Sequence, residues 1–313
     1  MKLIIQIPCW NEEKTITEAL RSLPVTMEDI DSIETVIIDD GSVDNTAAVA
    51  KEAGATEVVR LPRHMGLAAA FSAGVEVAIR RNADILVNTD ADLQYPSSYI
   101  REIIKPIVNK EADIVVGDRL SYKPRPFSPL KMLLQRLGTW VIRIFSGVKI
   151  KDATSGFRAL SRETMYSMII HDEFSYTLES LFLAGAKKLR VTHVTIPINK
   201  PRRKSRLFNN IGQYILRSVI TMTRIYLMYH PLKFFVTIGL ICLTGSFLIG
   251  LRFLYFFILQ TGGGHIQSLI LLAVLAGAGF QAVILGLLAD VVAANRRLNE
   301  QIRRKQLESM YET

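Results

Sequence analysis

The chain has 313 residues, enough for one large domain or two ordinary ones with a full hydrophobic core. Its 38 Lys and Arg against 29 Asp and Glu give a net charge of +9. A mean hydropathy of +0.24 excludes a disordered or collagen-like chain and is high for a wholly soluble one. The two cysteines, Cys9 and Cys242, sit in unlike surroundings, which excludes a disulfide framework or a cysteine-built zinc site and fits a reducing, cytosol-facing compartment.

The apolar stretch at 1–8 is too short for a signal peptide and passes straight into Asn11-Glu12-Glu13-Lys14, so it reads as a first strand. Further short apolar or β-branched runs at 35–38, 57–61, 85–87 and 113–116 predict strands buried on both faces. Between them the pattern predicts helices over 13–23, 45–53, 67–81 and 98–109. Strand and helix in alternation predict an α/β fold with a mostly parallel, doubly wound sheet, whose ligands collect at the carboxyl ends of the strands.

Polar residues stand at those ends. Pro8, Asn11 and Glu12 follow the first strand, Asp39-Asp40-Gly41-Ser42 the second and Asp90-Ala91-Asp92 the fourth. Neither a Gly-x-Gly-x-x-Gly after the first strand nor a Gly-Lys-Ser/Thr loop is present, so dinucleotide binding and P-loop hydrolysis lose their main support. Asp90 and Asp92 offer oxygen ligands to a hard cation, Mg²⁺ or Mn²⁺, which would share them with a diphosphate and water. Acidic turns after strands are often only solvated. Here four carboxylates converge in a basic chain, and their mutual repulsion calls for a cation.

Between 119 and 151 there are eight Lys or Arg and no acid, and between 187 and 233 there are eleven and no acid. Beside membrane-like segments these runs fit an anionic membrane or a lipid phosphate better than a nucleic acid. At 128–145, Lys131, Gln135, Arg136, Thr139 and Arg143 recur at helical spacing among Leu130, Leu133, Leu134, Leu137, Trp140, Val141 and Ile144. Two readings of this amphipathic helix stand: it packs on the domain core, or it lies in the headgroup layer, which its neighbourhood favours. The segment 207–230, with Arg217 and Arg224, reads as a second juxtamembrane helix ending at a bend at Pro231.

The apolar runs 234–251 and 266–289 are each about the ~20 residues of a bilayer span. The alternative is a buried helical hairpin of a soluble protein. Lys233 on one flank, and Arg296, Arg297, Arg303, Arg304 and Lys305 on the other, place both chain ends in the cytoplasm by the positive-inside rule. The organisation expected is therefore a catalytic domain over 1–206, two spans within 231–295 and a basic tail over 296–313. Arg252 and Asp290, the only charges from 234 to 295, fall at opposite ends of such a hairpin and should not pair. The run Ala276-Gly277-Ala278-Gly279 predicts close helix contact, within the hairpin or in a homo-oligomer.

Taken together, Pro8, Asn11-Glu12-Glu13, Asp39-Asp40-Gly41-Ser42-Val43-Asp44, Asp90-Ala91-Asp92-Leu93-Gln94 and Ser155-Gly156-Phe157-Arg158 resemble family 2 glycosyltransferases over about residues 1 to 230. The polyprenyl-phosphate branch, with its dolichol-phosphate mannose synthases and undecaprenyl-phosphate glucosyltransferases, is the nearest likeness. This resemblance implies a GT-A catalytic domain joined to a two-helix transmembrane hairpin. It also implies a nucleotide-diphosphate sugar donor (GDP-mannose or a UDP-hexose), a polyprenyl phosphate acceptor and inversion at the anomeric carbon. Pro8, Asn11, Glu12, Asp39 and Asp40 would line the donor pocket, and Asp90, Asp92 and Gln94 would hold the metal. Arg119 and Arg158 would meet phosphates, while Asp152 would orient the acceptor or a sugar hydroxyl, or fix Arg158. Ser42 and Asp44 stay open between function and helix capping. The segment Lys200, Arg202, Arg203, Ser205 and Arg206 would clamp the lipid phosphate, although the glycine common in that stretch is missing. A processive polysaccharide synthase is disfavoured by the lack of a Gln-x-x-Arg-Trp motif, and a non-catalytic adaptor by the Asp90/Asp92 pair.

Overall fold

The sheet is ordered by where its apolar runs fall. In the computed structural model, which describes residues 1–122, 129–170, 176–199, 211–259 and 266–311, β1 (Lys2–Cys9) buries seven of its eight residues in the middle of a seven-stranded sheet. Its partners are β2 (Ser32–Asp39) on one side and β4 (Ile85–Asn88) on the other, both parallel to it. Beyond β2 lies β3 (Glu57–Arg60). Beyond β4 come β6 (Arg158–Ser161), β5 (Ile114–Asp118) and β7 (Val191–Thr195), giving the order β3-β2-β1-β4-β6-β5-β7. Only β6 runs antiparallel to its neighbours. The predicted mostly parallel α/β sheet is therefore present, and the two acidic strand ends lie on either side of β1.

Helices α1 (Ile16–Ser22), α2 (Thr46–Glu52), α3 (Leu67–Arg80) and α4 (Ile100–Val108) fill the predicted intervals. In α4 the isoleucines 100, 103, 104 and 107 are buried at helical spacing against β4, β5 and β6. The first helix begins three residues later than expected because residues 11–15 form a turn, closed by the Thr15 and Ile16 N–H groups on the Glu12 carbonyl. Next come α5 (Pro129–Ser146), α6 (Arg162–Ser167), α7 (Tyr176–Ala186) and α8 (Ile211–Tyr229).

The chain divides into two units, Met1–Ile225 with Ile302–Thr313, and Tyr226–Gln301. The second consists of α9 (Pro231–Ile258) and most of α10 (Ile266–Tyr311), both long and apolar enough to cross a membrane. Within it Gly239 and Gly279 let the two backbones meet, since a Cβ on either would lie 2.9 Å from the other's carbonyl oxygen. Gly277, by contrast, has nothing within 4 Å. Arg252 lies 5.8 Å from the Phe256 ring, and Asp290 is 3.9 Å from Arg297. The basic segment expected as a tail is helical through Tyr311. Its end belongs to the first unit, where Arg303 pairs with Glu76 of α3 at 2.9 Å.

Candidate active site

At the end of β2 the two adjacent aspartates have different roles. The Oδ1 and Oδ2 atoms of Asp40 accept the main-chain N–H groups of Met65 (2.7 Å) and Gly66 (2.9 Å), and His64 Nδ1 is 2.8 Å from Oδ2. Asp40 thereby stitches the loop before α3 to the sheet. Gly41 is required beside it: its φ of +66° is left-handed, and a Cβ there would stand 2.3 Å from the Arg63 carbonyl carbon. Asp39 is fully buried. Its Oδ1 accepts the Ser42 N–H, while Oδ2 has no hydrogen-bond donor among the described residues and lies 3.4 Å from Arg60 Nε.

Pro8, within β1, delivers the chain to Trp10 and Asn11. The Trp10 ring stacks on His64 with centroids 4.2 Å apart. Asn11 sits at φ +54°, its N–H donating to Ser42 Oγ (2.9 Å) and its Oδ1 accepting from the Val43 N–H (3.0 Å). Glu12 is buried and accepts from the Thr15 hydroxyl at 2.8 Å. Asp44 accepts from the N–H groups of Thr46 and Glu13, a capping role that answers the question left open for it. Ser42 supports the Asn11 backbone.

The end of β4 is built otherwise. Asp90 is partly buried, and its carboxylate accepts no hydrogen bond among the described residues. Burial, then the charge of Asp92, raise its pKa to about 7, against the pull of Arg119; Glu12 adds to the rise. Asp92 accepts the Gln94 N–H at 3.0 Å and the Gln94 side-chain amide. Gln94, expected as a metal ligand, has its side-chain amide on the Asp92 carboxylate and so stands beside one of the two aspartates. Between them Leu93 has φ +60°, and Asn199 pins this turn through the Leu93 carbonyl (2.8 Å) and the Gln94 carbonyl (2.9 Å).

Arg119, just past β5, is bound to Asp152 as a fork. Nε reaches Oδ2 at 2.7 Å and Nη2 reaches Oδ1 at 3.0 Å, with Thr154 Oγ1 at 2.9 Å and the Tyr95 hydroxyl at 3.4 Å. Burial alone would raise the Asp152 carboxyl, but Arg119 outweighs it and holds it below the usual range. Asp152 thus fixes Arg119, not Arg158.

Arg158 was expected to meet a phosphate. It is fully buried, with Nε and both terminal nitrogens on the carbonyls of Ser155, Thr177 and Ala153 at 2.7 to 2.8 Å. Burial lowers its pKa to about 10, so it stays charged and braces the 153–156 loop from within. Lys200, Arg202, Arg203, Ser205 and Arg206 lie outside the described residues. Four residues that sequence reasoning passed over, Asn88, Tyr95, Tyr176 and Asn199, hold the loops on which the expected ones stand.

The structure fits a divalent cation at Asp90 and Asp92. Two neighbouring carboxylates past a strand end, one driven toward the protonated form by burial and then by the charge of the other, are a donor set that a hard cation would satisfy. Among the described residues no cluster of three His, Cys, Asp or Glu side chains that could hold a metal ion is present, so this pair would be the protein's contribution to such a site.

A mostly parallel sheet with acidic strand ends on either side of β1 and an aspartate pair just past β4 is the arrangement of a GT-A glycosyltransferase. The family model described as glycosyl transferase family 2 matches residues 4–167, and the chain belongs to that family. Over 205 residues it is 31% identical to an uncharacterized protein of Methanocaldococcus jannaschii, covering 63% of this chain and 80% of that one. It is 29% identical over 212 residues to a UDP-N-acetylglucosamine–dolichyl-phosphate N-acetylglucosaminyltransferase of Methanococcus voltae, covering 61% and 82%. Among solved structures, glucosyl-3-phosphoglycerate synthase from Mycobacterium tuberculosis, in complex with phosphoglyceric acid, shares the fold. Its TM-score is 0.57 at 20% identity over 72% of this chain and 79% of that one.

Proposed function

We propose that the protein transfers a hexose from a nucleoside diphosphate sugar to a polyprenyl phosphate at the cytoplasmic face of a membrane, with inversion at the anomeric carbon. The observation that carries this reading is on α5. One stripe of the helix, Met132, Thr139 and Ile142, is buried on the domain, while Leu133, Leu137, Trp140 and Ile144 face outward beside exposed Arg136 and Arg143. Leu216, Val219 and Ile220 of α8 are exposed in the same way. An apolar face edged with arginine suits the headgroup layer of an anionic bilayer. From the buried stripe, Thr139 Oγ1 accepts the Ala153 N–H at 3.2 Å, so this helix touches the loop that carries Asp152. The names of relatives agree: besides the Methanococcus enzyme, a dolichol-phosphate mannosyltransferase of Pyrococcus furiosus is 31% identical over 172 residues.

In this reading the donor nucleoside lies along 8–12 and 39–42, above the buried Asp39 carboxylate. Asp90 and Asp92 would hold Mg²⁺ or Mn²⁺, which when bound stabilises charge on the departing nucleoside diphosphate. Arg119, rigid on Asp152, adds positive charge beside the carboxylates and positions phosphate. The acceptor's second pKa is near ~6, so it arrives largely as a dianion and needs no general base. One of its oxygens forms the bond to the anomeric carbon as the bond from that carbon to the β-phosphate oxygen breaks, the nucleoside diphosphate leaving with the electron pair. The basic residues at 200–206 would complete the acceptor site, and Lys233, Arg296 and Arg297 would keep both span ends cytoplasmic.

A panel of nucleotide sugars with and without Mn²⁺, with polyprenyl phosphate in proteoliposomes, tests the reading. One or more donors should give Mn²⁺-dependent lipid-linked sugar, and no transfer from any donor by folded protein would refute it.

A further inference from the structure

Behind Asp90 stands a buried polar chain that begins in the middle of the sheet. Gln6, fully buried in the apolar run of β1, donates from Nε2 to Asn88 Oδ1 at 2.8 Å. Asn88, the last residue of β4 and two before Asp90, turns its own amide to the Gly156 carbonyl (2.9 Å) and to the Tyr176 hydroxyl (3.1 Å). That hydroxyl, at the first residue of α7, also reaches the Gly156 carbonyl at 3.3 Å. On its other side the Gly156 N–H donates to the Tyr95 hydroxyl at 3.2 Å. Both main-chain groups of one glycine are thus tied to side chains from β4, α7 and the turn after β4.

The open side of that glycine faces the candidate metal site. A Cβ on Gly156 would lie 3.4 and 3.5 Å from the two Asp90 carboxylate oxygens and 3.0 Å from the Tyr176 hydroxyl. Asp90, which accepts no hydrogen bond among the described residues, therefore rests against the bare Gly156 backbone. Tyr176 is itself immobilised, its ring stacked on Phe71 at 4.1 Å under the Arg158 guanidinium at 5.9 Å. Buried polar groups in an apolar strand are costly unless bonded; Gln6 Oε1 has no partner among the described residues, while the Asn88, Gly156 and Tyr176 groups are bonded to one another and so hold one geometry.

We propose that Asn88 and Tyr176 are positioning residues for the Asp90 carboxylate, acting through the main chain of Gly156. The assignment rests on the reading of Asp90 and Asp92 as cation ligands. A ligand carboxylate without hydrogen bonds of its own depends on its packing wall for direction, and partners that orient metal ligands typically govern affinity by about 10-fold to 100-fold.

Two variants separate this role from plain structural support. Tyr176→Phe keeps the ring stack and removes only the hydroxyl. Gly156→Ala keeps the network's donors and crowds the gap between that hydroxyl and Asp90. The measurement is Mn²⁺ affinity, read on the detergent-solubilised full-length protein from the electron paramagnetic resonance signal of free Mn²⁺, with thermal unfolding in parallel and Asp92→Asn as reference. Tyr176→Phe should weaken Mn²⁺ binding roughly tenfold with a melting temperature close to that of the unaltered protein, and Gly156→Ala should weaken it as well. Unchanged Mn²⁺ affinity in Tyr176→Phe overturns the inference even if Gly156→Ala fails to fold. If the unaltered protein shows no Mn²⁺ binding that Asp92→Asn abolishes, the metal reading itself falls and takes this inference with it.

Discussion

Asp40 and Asp90 follow the two strands that flank β1, yet one is saturated by main-chain donors and the other accepts no hydrogen bond among the described residues. Asp40 accepts the main-chain N–H groups of Met65 and Gly66 with His64 Nδ1 beside it, all delivered by a separate loop. Asp90 is pushed toward neutrality by burial first and then by like charge from Asp92 and Glu12, against the pull of Arg119. The same side chain at equivalent places is structural where the chain brings it N–H groups and, in the proposed function, is left available to a cation where it does not. The Arg119–Asp152 fork is a third case, a carboxylate saturated by a guanidinium.

Changing each acid in turn should separate these roles. Asp152→Ala leaves Arg119 buried without its partner and should cost about 3 to 5 kcal/mol of stability, measured by chemical denaturation. Asp92→Asn should lower kcat/KM for transfer roughly a hundredfold or more while the melting temperature holds or rises, because a repulsive charge has gone. Asp40→Asn should do the reverse, losing about 2 kcal/mol of stability as the loop N–H groups lose their anionic acceptor, with a smaller effect on turnover per folded molecule. Equal damage to stability from Asp40→Asn and Asp92→Asn would erase the distinction. The fork also has a pH signature. Since the Asp152 carboxyl is held below its usual range, its stabilising contribution is complete above about pH 4 and is lost as the pH falls through its folded value. The stability gap between the unaltered protein and Asp152→Asn should accordingly narrow in acid. The smallest signal concerns the membrane. With Trp10→Phe removing the other tryptophan, Trp140, 57% exposed in the structure, should be quenched by brominated lipids in proteoliposomes, and an unquenched Trp140 would leave α5 out of the bilayer.

Much of this arrangement was legible in the sequence because it rests on local signals. Apolar runs located β1 to β5, and acidic clusters after them marked the cleft. What escaped depends on distant pairing. β6 has four residues and opens with an arginine, so nothing local reveals a strand, and Arg158 reads as a surface cation until Ser155, Thr177 and Ala153 close around it. Two polar residues in apolar strands, Gln6 and Asn88, were the available clue to the network behind Asp90. The charged end of α10 resembled a tail because its helical contacts, such as Arg303 on Glu76, lie far apart in the chain. For Gln94, residue type and spacing suggest a metal ligand, and the structure adds that its amide bonds Asp92.

The central claim is glycosyl transfer to a lipid phosphate, and its most direct test is the identity of the leaving group. With purified protein in proteoliposomes, polyprenyl phosphate and a competent donor, nucleoside diphosphate should appear in equal amount with a lipid carrying one phosphate between polyprenol and sugar. Release of nucleoside monophosphate with a diphosphate-linked lipid, or donor turnover with no lipid product at all, would contradict the account.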